Sequence, residues 1–277
     1  MAGAQTERKA EFLELSKPIH DLIDKELKKE KTALEEIRKN PEGSEYKKIG
    51  LAEDMIYITT LYLSINTLSL KVLKLKNNDA LNDGRKIIYK AIIYLEEVVS
   101  NVVDLMPSEQ AVKLEKISEM KIDKRFYLVR KIGLVIQLLS DALGENSKWK
   151  WSFVELRARY ASVAKNLLDL KAAGRDFYDP SCEDYDNTVF YVRLVKQLIE
   201  KSSMDYRDKY ELMSRSEEDM QMAINFLLAL RRIAISLGEN DEAEEIKKKA
   251  QVWKTKMETD QKQSKKLLSR SFVPDIR

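Results

Sequence analysis

From Leu51 to Leu75 the chain places Leu51, Ile58, Leu61, Ile65, Leu68, Val72 and Leu75 at heptad spacing, interrupted only at Asp54. That period predicts an amphipathic helix. Thr60, Ser64, Thr67, Lys71 and Lys74 take its opposite, wetter face. Ile88, Ala91, Leu95, Val98, Val102 and Leu105 predict the next helix, ending before Pro107, and a shorter one follows from Ser108 to about Lys121. Phe126 to Leu143 is apolar nearly all round, with only the strip Arg130, Gln137 and Asp141. Such a helix is expected to be buried on most sides. Trp149, Phe153, Leu156, Tyr160, Val163, Leu167 and Leu170 then alternate steps of four and three, and Gly174 is the expected stop. Beyond an irregular stretch from Arg175 to Asp186, helices are predicted at Asp184–Lys201, Met204–Ser214 and Glu217–Leu237. A last helix carries Ala243, Ile246, Ala250, Trp253 and Met257, followed by a basic tail with Lys262, Lys265, Lys266 and Arg270.

The start of the chain is different. Residues 6–39 are highly charged, with a thin stripe of Phe12, Leu15, Ile19, Leu22, Ile23, Leu27, Leu34 and Ile37. Ser16-Lys17-Pro18 reads as a cap with proline in the first turn, so a break or restart is expected there. An unbroken helix of this length would span about 50 Å. The organisation that follows is a charged helical arm at 1–43, a helical domain at 44–174, and a C-terminal helical domain at 175–277. The fold class is all-α: stacked antiparallel helical hairpins, elongated, partly tetratricopeptide-like.

Composition narrows the alternatives. With 8 glycines and 5 prolines in 277 residues, the chain lacks the frequent turns that a β-sandwich or barrel requires. The 49 basic and 46 acidic residues nearly cancel, to +3, so there is no global attraction to nucleic acid or an anionic membrane. Met55 to Leu70 is uncharged but short and rich in Thr, Ser and Asn, which suits a core helix rather than a membrane span. Ala2-Gly3-Ala4 resembles the small-residue end of a secretory leader with cleavage before Gln5; an ordinary chain start is the alternative. The first places the protein in a periplasm and the second in the cytoplasm.

Catalytic candidates are few. His20 lies on a charged helix without a Glu-x-x-His partner, and Cys182 has no second cysteine to resolve it. Asp176, Asp179, Glu183, Asp184 and Asp186 crowd one loop but miss the alternating pattern that wraps calcium. Glu217-Glu218-Asp219 suits a helix N-terminus. No Gly-rich phosphate loop occurs. The expectation is therefore no catalytic residue, no cofactor and no metal.

Leu237-Gly238-Glu239-Asn240 repeats Leu143-Gly144-Glu145-Asn146, each between a buried helix and one carrying tryptophan. Around the second copy the chain resembles one tetratricopeptide repeat: Leu230, Gly238, Ala243 and Ala250 match the repeat's small and apolar positions, whereas Lys247 stands for its aromatic and Thr255 for its proline. Gly84 and Ala91 echo it upstream. The Lys- and Tyr-rich helical composition, these repeat-like hairpins and the Ala-Gly-Ala-Gln start also resemble the spirochete flagellar-coiling proteins. That resemblance implies a non-enzymatic, exported component of the sheath around periplasmic flagellar filaments, affecting filament shape and motility.

The strongest binding signal is Lys148 to Arg175, where Lys148, Lys150, Arg157, Arg159, Lys165, Lys171 and Arg175 face only Glu155 and Asp169. Tryptophan beside cations suits a protein interface. Trp149 opens the apolar stripe and is expected in the core, so Trp151, with Lys150, Arg157, Arg159 and Lys165, is the expected partner-binding set. The reading that follows is a non-catalytic helical scaffold acting through other proteins, by self- or hetero-assembly, with nucleic acid disfavoured. The alternative is a helical enzyme or small-ligand binder whose acidic loop or Arg130–Gln137–Asp141 strip lines a pocket.

Overall fold

The computed structural model describes the backbone of residues 2–144 and 147–271 and the side chains of residues 5–144 and 147–263. The side chains of the Ala2-Gly3-Ala4 start and of Lys265, Lys266 and Arg270, and all of Glu145 and Asn146, lie outside that description. Among the described residues the chain is all-α. The helices are α1 (Ala2–Lys39), α2 (Ser44–Val72), α3 (Asn78–Val99), α4 (Pro107–Glu115), α5 (Ile122–Leu143), α6 (Lys150–Leu167), α7 (Leu170–Asp176), α8 (Tyr185–Lys209), α9 (Glu217–Ser236) and α10 (Asn240–Ser271). A π-helical turn, Tyr210–Ser214, follows α8. The helices group into two units, 1–101 with 105–167 and 102–104 with 168–277. Residues 1–43 thus belong to the first group, and the division falls at Leu167–Leu168, ahead of Gly174.

In the first unit α1 runs without interruption through Pro18, so the break expected at Ser16 does not occur. Its buried seam is Ser16, Ile23 and Glu30, one residue every seven, while Leu15 and Leu22 point outward. A carboxylate inside needs a partner. Glu30 accepts from Lys90 Nζ at 2.9 Å and 3.0 Å and from the Tyr94 hydroxyl, which ties α1 to α3. Helices α2 and α3 form a tight hairpin closed by polar side chains. Buried Asn66 accepts from the Asn77 backbone N–H at 2.9 Å, Asn77 caps α3 through Ala80 N, and Ser69 Oγ donates to Leu75 O. The polar face expected on α2 holds for Ser64, Thr67 and Lys71, but the heptad stripe ends early, leaving Leu75 exposed. Gly84 sits where α3 crosses its neighbours; a Cβ there would lie 3.2 Å from both Leu139 Cδ2 and Tyr62 Cβ. Helix α3 stops at Val99, with Ser100 at φ 97°, rather than continuing to Leu105, and Val102 faces solvent.

The last turn of α6 is buried from Ala161 through Leu167, and the carbonyls at its end need donors. Gln110 Nε2, from α4, donates to Lys165 O at 3.3 Å and Asn166 O at 3.1 Å. Arg125, at the start of α5, reaches Leu167 O at 3.3 Å, Ile117 O at 2.9 Å and Met120 O at 2.6 Å. Asn166 Nδ2 donates to Ser100 O at 3.0 Å. The last turns of α3 and α6, α4 and the α4–α5 connection meet at this polar knot.

In the second unit α8, α9 and α10 pack in sequence, with α7 against α8 and α9. Gly174 does not end a helix; it lies within α7, where an added Cβ would strike the backbone carbonyl of Ser236. The predicted helix break near Ser203 is absent, because α8 runs on to Lys209 and into the π-turn. Asp219, at the start of α9, holds that turn by accepting from Lys209 Nζ at 2.8 Å and Ser214 Oγ at 2.5 Å. Tyr210 donates to Asp260 Oδ2 at 2.7 Å.

Two outcomes follow. In a Trp253→Phe background, where Trp149 and Trp151 report the first unit, Arg125→Met should lower urea-measured stability by about 3 kcal/mol, since it leaves several buried carbonyls without donors. A loss below about 1 kcal/mol would show that the knot is not a constraint. Burial, then Asp260, pushes the Tyr210 phenol up to about 12, so the folded state keeps that proton after the unfolded chain releases it near pH 10. Stability of the second unit, followed by Trp253 emission, should therefore fall as pH rises from about 10 to 12, and Tyr210→Phe should flatten that decline.

Candidate functional site

The first turn of α6 is pinned to α3 by side chains that local sequence does not link. Tyr89 donates its hydroxyl to Ser152 O at 2.8 Å, and Arg85 Nη1 donates to Ser152 Oγ at 2.9 Å. Arg85 Nη2 reaches Asn82 Oδ1 at 3.0 Å, and the guanidinium carbon lies 4.1 Å from the centre of the Trp149 ring. That is within the range where an aromatic face attracts a cation. Arg85 Nε is buried without a hydrogen-bond partner among the described residues, so this cation is compensated by Ser152, Asn82 and the indole. Lys148 stands 5.1 Å from the same ring, and Lys150 stands 5.1 Å from the Trp151 ring. Both tryptophans are half-buried; Trp149 is a partly open wall rather than a fully buried core residue.

A recess of about 300 Å³ opens beside this corner. Asn78, Asp79 and Asn82 from α3 form one wall, and Leu143, Lys148 and Trp149 form the other. Burial raises the Tyr89 phenol above its usual range, opposed by its bond to Ser152, so it stays a neutral donor.

The five residues expected to form one basic partner-binding face are not all on the surface. Lys150 is exposed, and Trp151 and Arg157 are half-buried. Arg159 is held by Glu96 through a two-pronged pair of 2.8 Å and 2.5 Å and lies 5.7 Å from the Tyr89 ring. Its bond to Glu96 raises the guanidinium above its usual range. Lys165 is 1% exposed, with Nζ 3.2 Å from Asn166 Oδ1. Period alone set Lys165 on the wet side of α6, but the last turn of that helix is surrounded, so this residue is removed from any exposed patch.

The other candidates are placed as follows. His20 is exposed on α1. The Cys182 thiol donates to Asp179 Oδ2 at 3.6 Å, and burial followed by the Asp179 carboxylate pushes it up, which keeps it a protonated thiol. Asp179 itself caps a turn, accepting from Ser181 N at 3.0 Å and Ser181 Oγ at 2.6 Å. Among the described residues no group of three or more His, Cys, Asp or Glu is arranged to hold a metal ion, and no helix is long and apolar enough to cross a membrane. The strip Arg130, Gln137 and Asp141 is exposed, and Gln137 Nε2 donates to Asp141 Oδ1 at 2.7 Å. Sequence reasoning missed Arg85, Tyr89 and Ser152, whose roles exist only once α3 and α6 meet.

Replacing Arg85 by Leu should free the Trp149 face. In a background with Trp151 and Trp253 both changed to Phe, Trp149 emission should shift to the red and become more readily quenched by iodide, with a stability loss of about 1–2 kcal/mol. An unchanged spectrum would mean that Arg85 does not set the exposure of this ring.

A family model described as the TP0443 family matches residues 8–261. No curated protein and no solved structure matches the chain at a significant level.

Proposed function

The chain belongs to the TP0443 family, and for it we propose a non-catalytic scaffold that works by protein–protein interaction. The observation that carries this reading is the α6 corner, where Trp149 and Trp151 are half-buried and still reach solvent, each carries a cation on its face, and Arg85, Tyr89 and Ser152 hold the turn in one geometry. Tryptophan and arginine dominate interface energetics, and a rigid presentation lowers the entropy lost on docking. Trp151 is the anchor, Lys150 and Arg157 are its charged flank, and an acidic protein surface is the matching partner.

The tetratricopeptide likeness belongs to this proposal. Leu230, Ala243 and Ala250 are all buried, and α9 packs against α10, as the apolar and small residues at a repeat crossing would require. A component of a periplasmic flagellar filament sheath would act in the same way, and the Lys- and Tyr-rich helical composition supports that narrower version. A ligand-binding reading rests on the recess beside Trp149.

Chemical cross-linking in the native cell, read by mass spectrometry, separates these readings. Trp151→Ala with Lys150→Glu should reduce cross-links from the corner to other proteins at least tenfold while the circular dichroism spectrum is unchanged. Undiminished cross-links would overturn the assignment of the corner. A small molecule retained by the purified chain in native mass spectrometry, and lost in Trp149→Ala, would favour the ligand binder instead.

A further inference from the structure

Helix α5 is apolar on nearly every side by sequence, yet it is covered on only part of its circumference. Leu128, Val129, Ile132, Val135, Ile136 and Leu139 are buried, and α5 packs against α2, α3 and α6. The remaining side presents Tyr127 at 60% exposure, Leu134 at 62% and Leu138 at 45%. At about 100° per residue these three fall within roughly 20° of one line, extending about 16 Å along the helix. Isolated surface leucines need no explanation, but three large exposed apolar side chains on one line do; Lys131 stands between Tyr127 and Leu134, its ammonium 4.9 Å from the Tyr127 ring centre.

The charges on one flank of this ridge identify what covers it. Arg130 and Asp141 are both exposed, lie on the same side of the line, and enter no ion pair among the described residues. The guanidinium carbon of Arg130 lies 5.5 Å from the Phe126 ring centre, and Asp141 accepts from Gln137 Nε2. A two-fold axis crossing a pair of antiparallel α5 helices at Leu134 brings like flanks together. It sets Leu134 against Leu134, and it leaves Tyr127 of one copy about 4.5 Å along the axis from Leu138 of the other, and Arg130 the same distance from Asp141. Lys131 is already committed to Glu53 at 3.0 Å and does not compete for Asp141.

We propose that the α5 ridge is a self-association surface, occupied by α5 of a second copy of this chain in antiparallel register about Leu134, with reciprocal Arg130–Asp141 pairs. One pair of 22-residue helices buries less than a standard interface, so the dimer is weak, with a dissociation constant on the order of 10 μM. This rests on the reading of the protein as an interaction scaffold, but it uses a face separate from the α6 corner.

Sedimentation velocity of the full chain from about 1 to 300 μM tests it. The wild type should pass from monomer to dimer, and Leu134→Glu should weaken association at least tenfold with unchanged circular dichroism. Arg130→Glu and Asp141→Arg should each weaken association severalfold, and the double exchange should restore it, because every dimer then regains two opposite-charge contacts. A wild type that stays monomeric throughout, association that ignores Leu134→Glu, or a double exchange no better than the singles would each overturn the proposal. A photo-reactive amino acid placed at Leu138 should yield an adduct of twice the chain mass in cells; adducts of other masses alone would assign the ridge to a different protein. Trp151→Ala with Lys150→Glu should leave dimerisation intact, so failure of the α6 corner and failure of the α5 dimer are read separately.

Discussion

Helix α6 ends inside the first unit, with its terminal carbonyls away from water, and much of that unit's arrangement answers this one constraint. Backbone acceptors at a buried helix end must find donors or the end must move to the surface. Here Gln110 and Arg125 supply them, and Asn166 reaches in the other direction to Ser100 O. The shortness of α4, the turn before α5 and the positive φ at Ser100 are the geometry that delivers those side chains. A cation is well suited to the task, since the negative end of the α6 dipole faces the Arg125 guanidinium.

The same logic governs the other charges of the unit. A helix that threads a core cannot present its basic residues freely, so Arg159 is neutralised by Glu96 and Lys165 is enclosed. Across the α1 seam the roles reverse: Glu30 is the buried charge, and Lys90 with Tyr94 satisfies it. Ion pairs of this kind contribute little net stability but penalise wrong registers strongly, because each misplaced partner leaves a buried charge alone. They specify how α1, α3 and α6 dock.

Two surfaces of the first unit stand beside these internal commitments. At the start of α6, aromatic rings and cations are fixed in place yet still partly wet. On α5, three exposed apolar side chains line up beside Arg130, Lys131 and Asp141. For the scaffold we propose, an anchoring corner and a weak self-complementary ridge would combine a modest intrinsic affinity with multivalent attachment, where effective concentration supplies what each single contact lacks.

The all-α class, most helix positions and the absence of phosphate-loop motifs were legible in residue periodicity and composition, because helix formation and apolar patterning are local properties of 3.6-residue spacing. Leu156, Tyr160, Val163 and Leu167 are core residues in the structure as they are in the pattern. Periodicity could not say how many neighbours each helix has. It therefore placed Lys165 on a face that other helices enclose, expected α5 to be covered on sides that stand open, and chose Leu15 and Leu22 over Ser16 and Glu30 for the α1 seam. Arg85, Tyr89 and Glu96 looked like ordinary polar residues of α3 until α6 was laid against them. What the chain determines by itself is which segments coil and which side of each coil is apolar; tertiary packing decides which charges are enclosed and which apolar faces stay open, because those depend on partners distant in sequence.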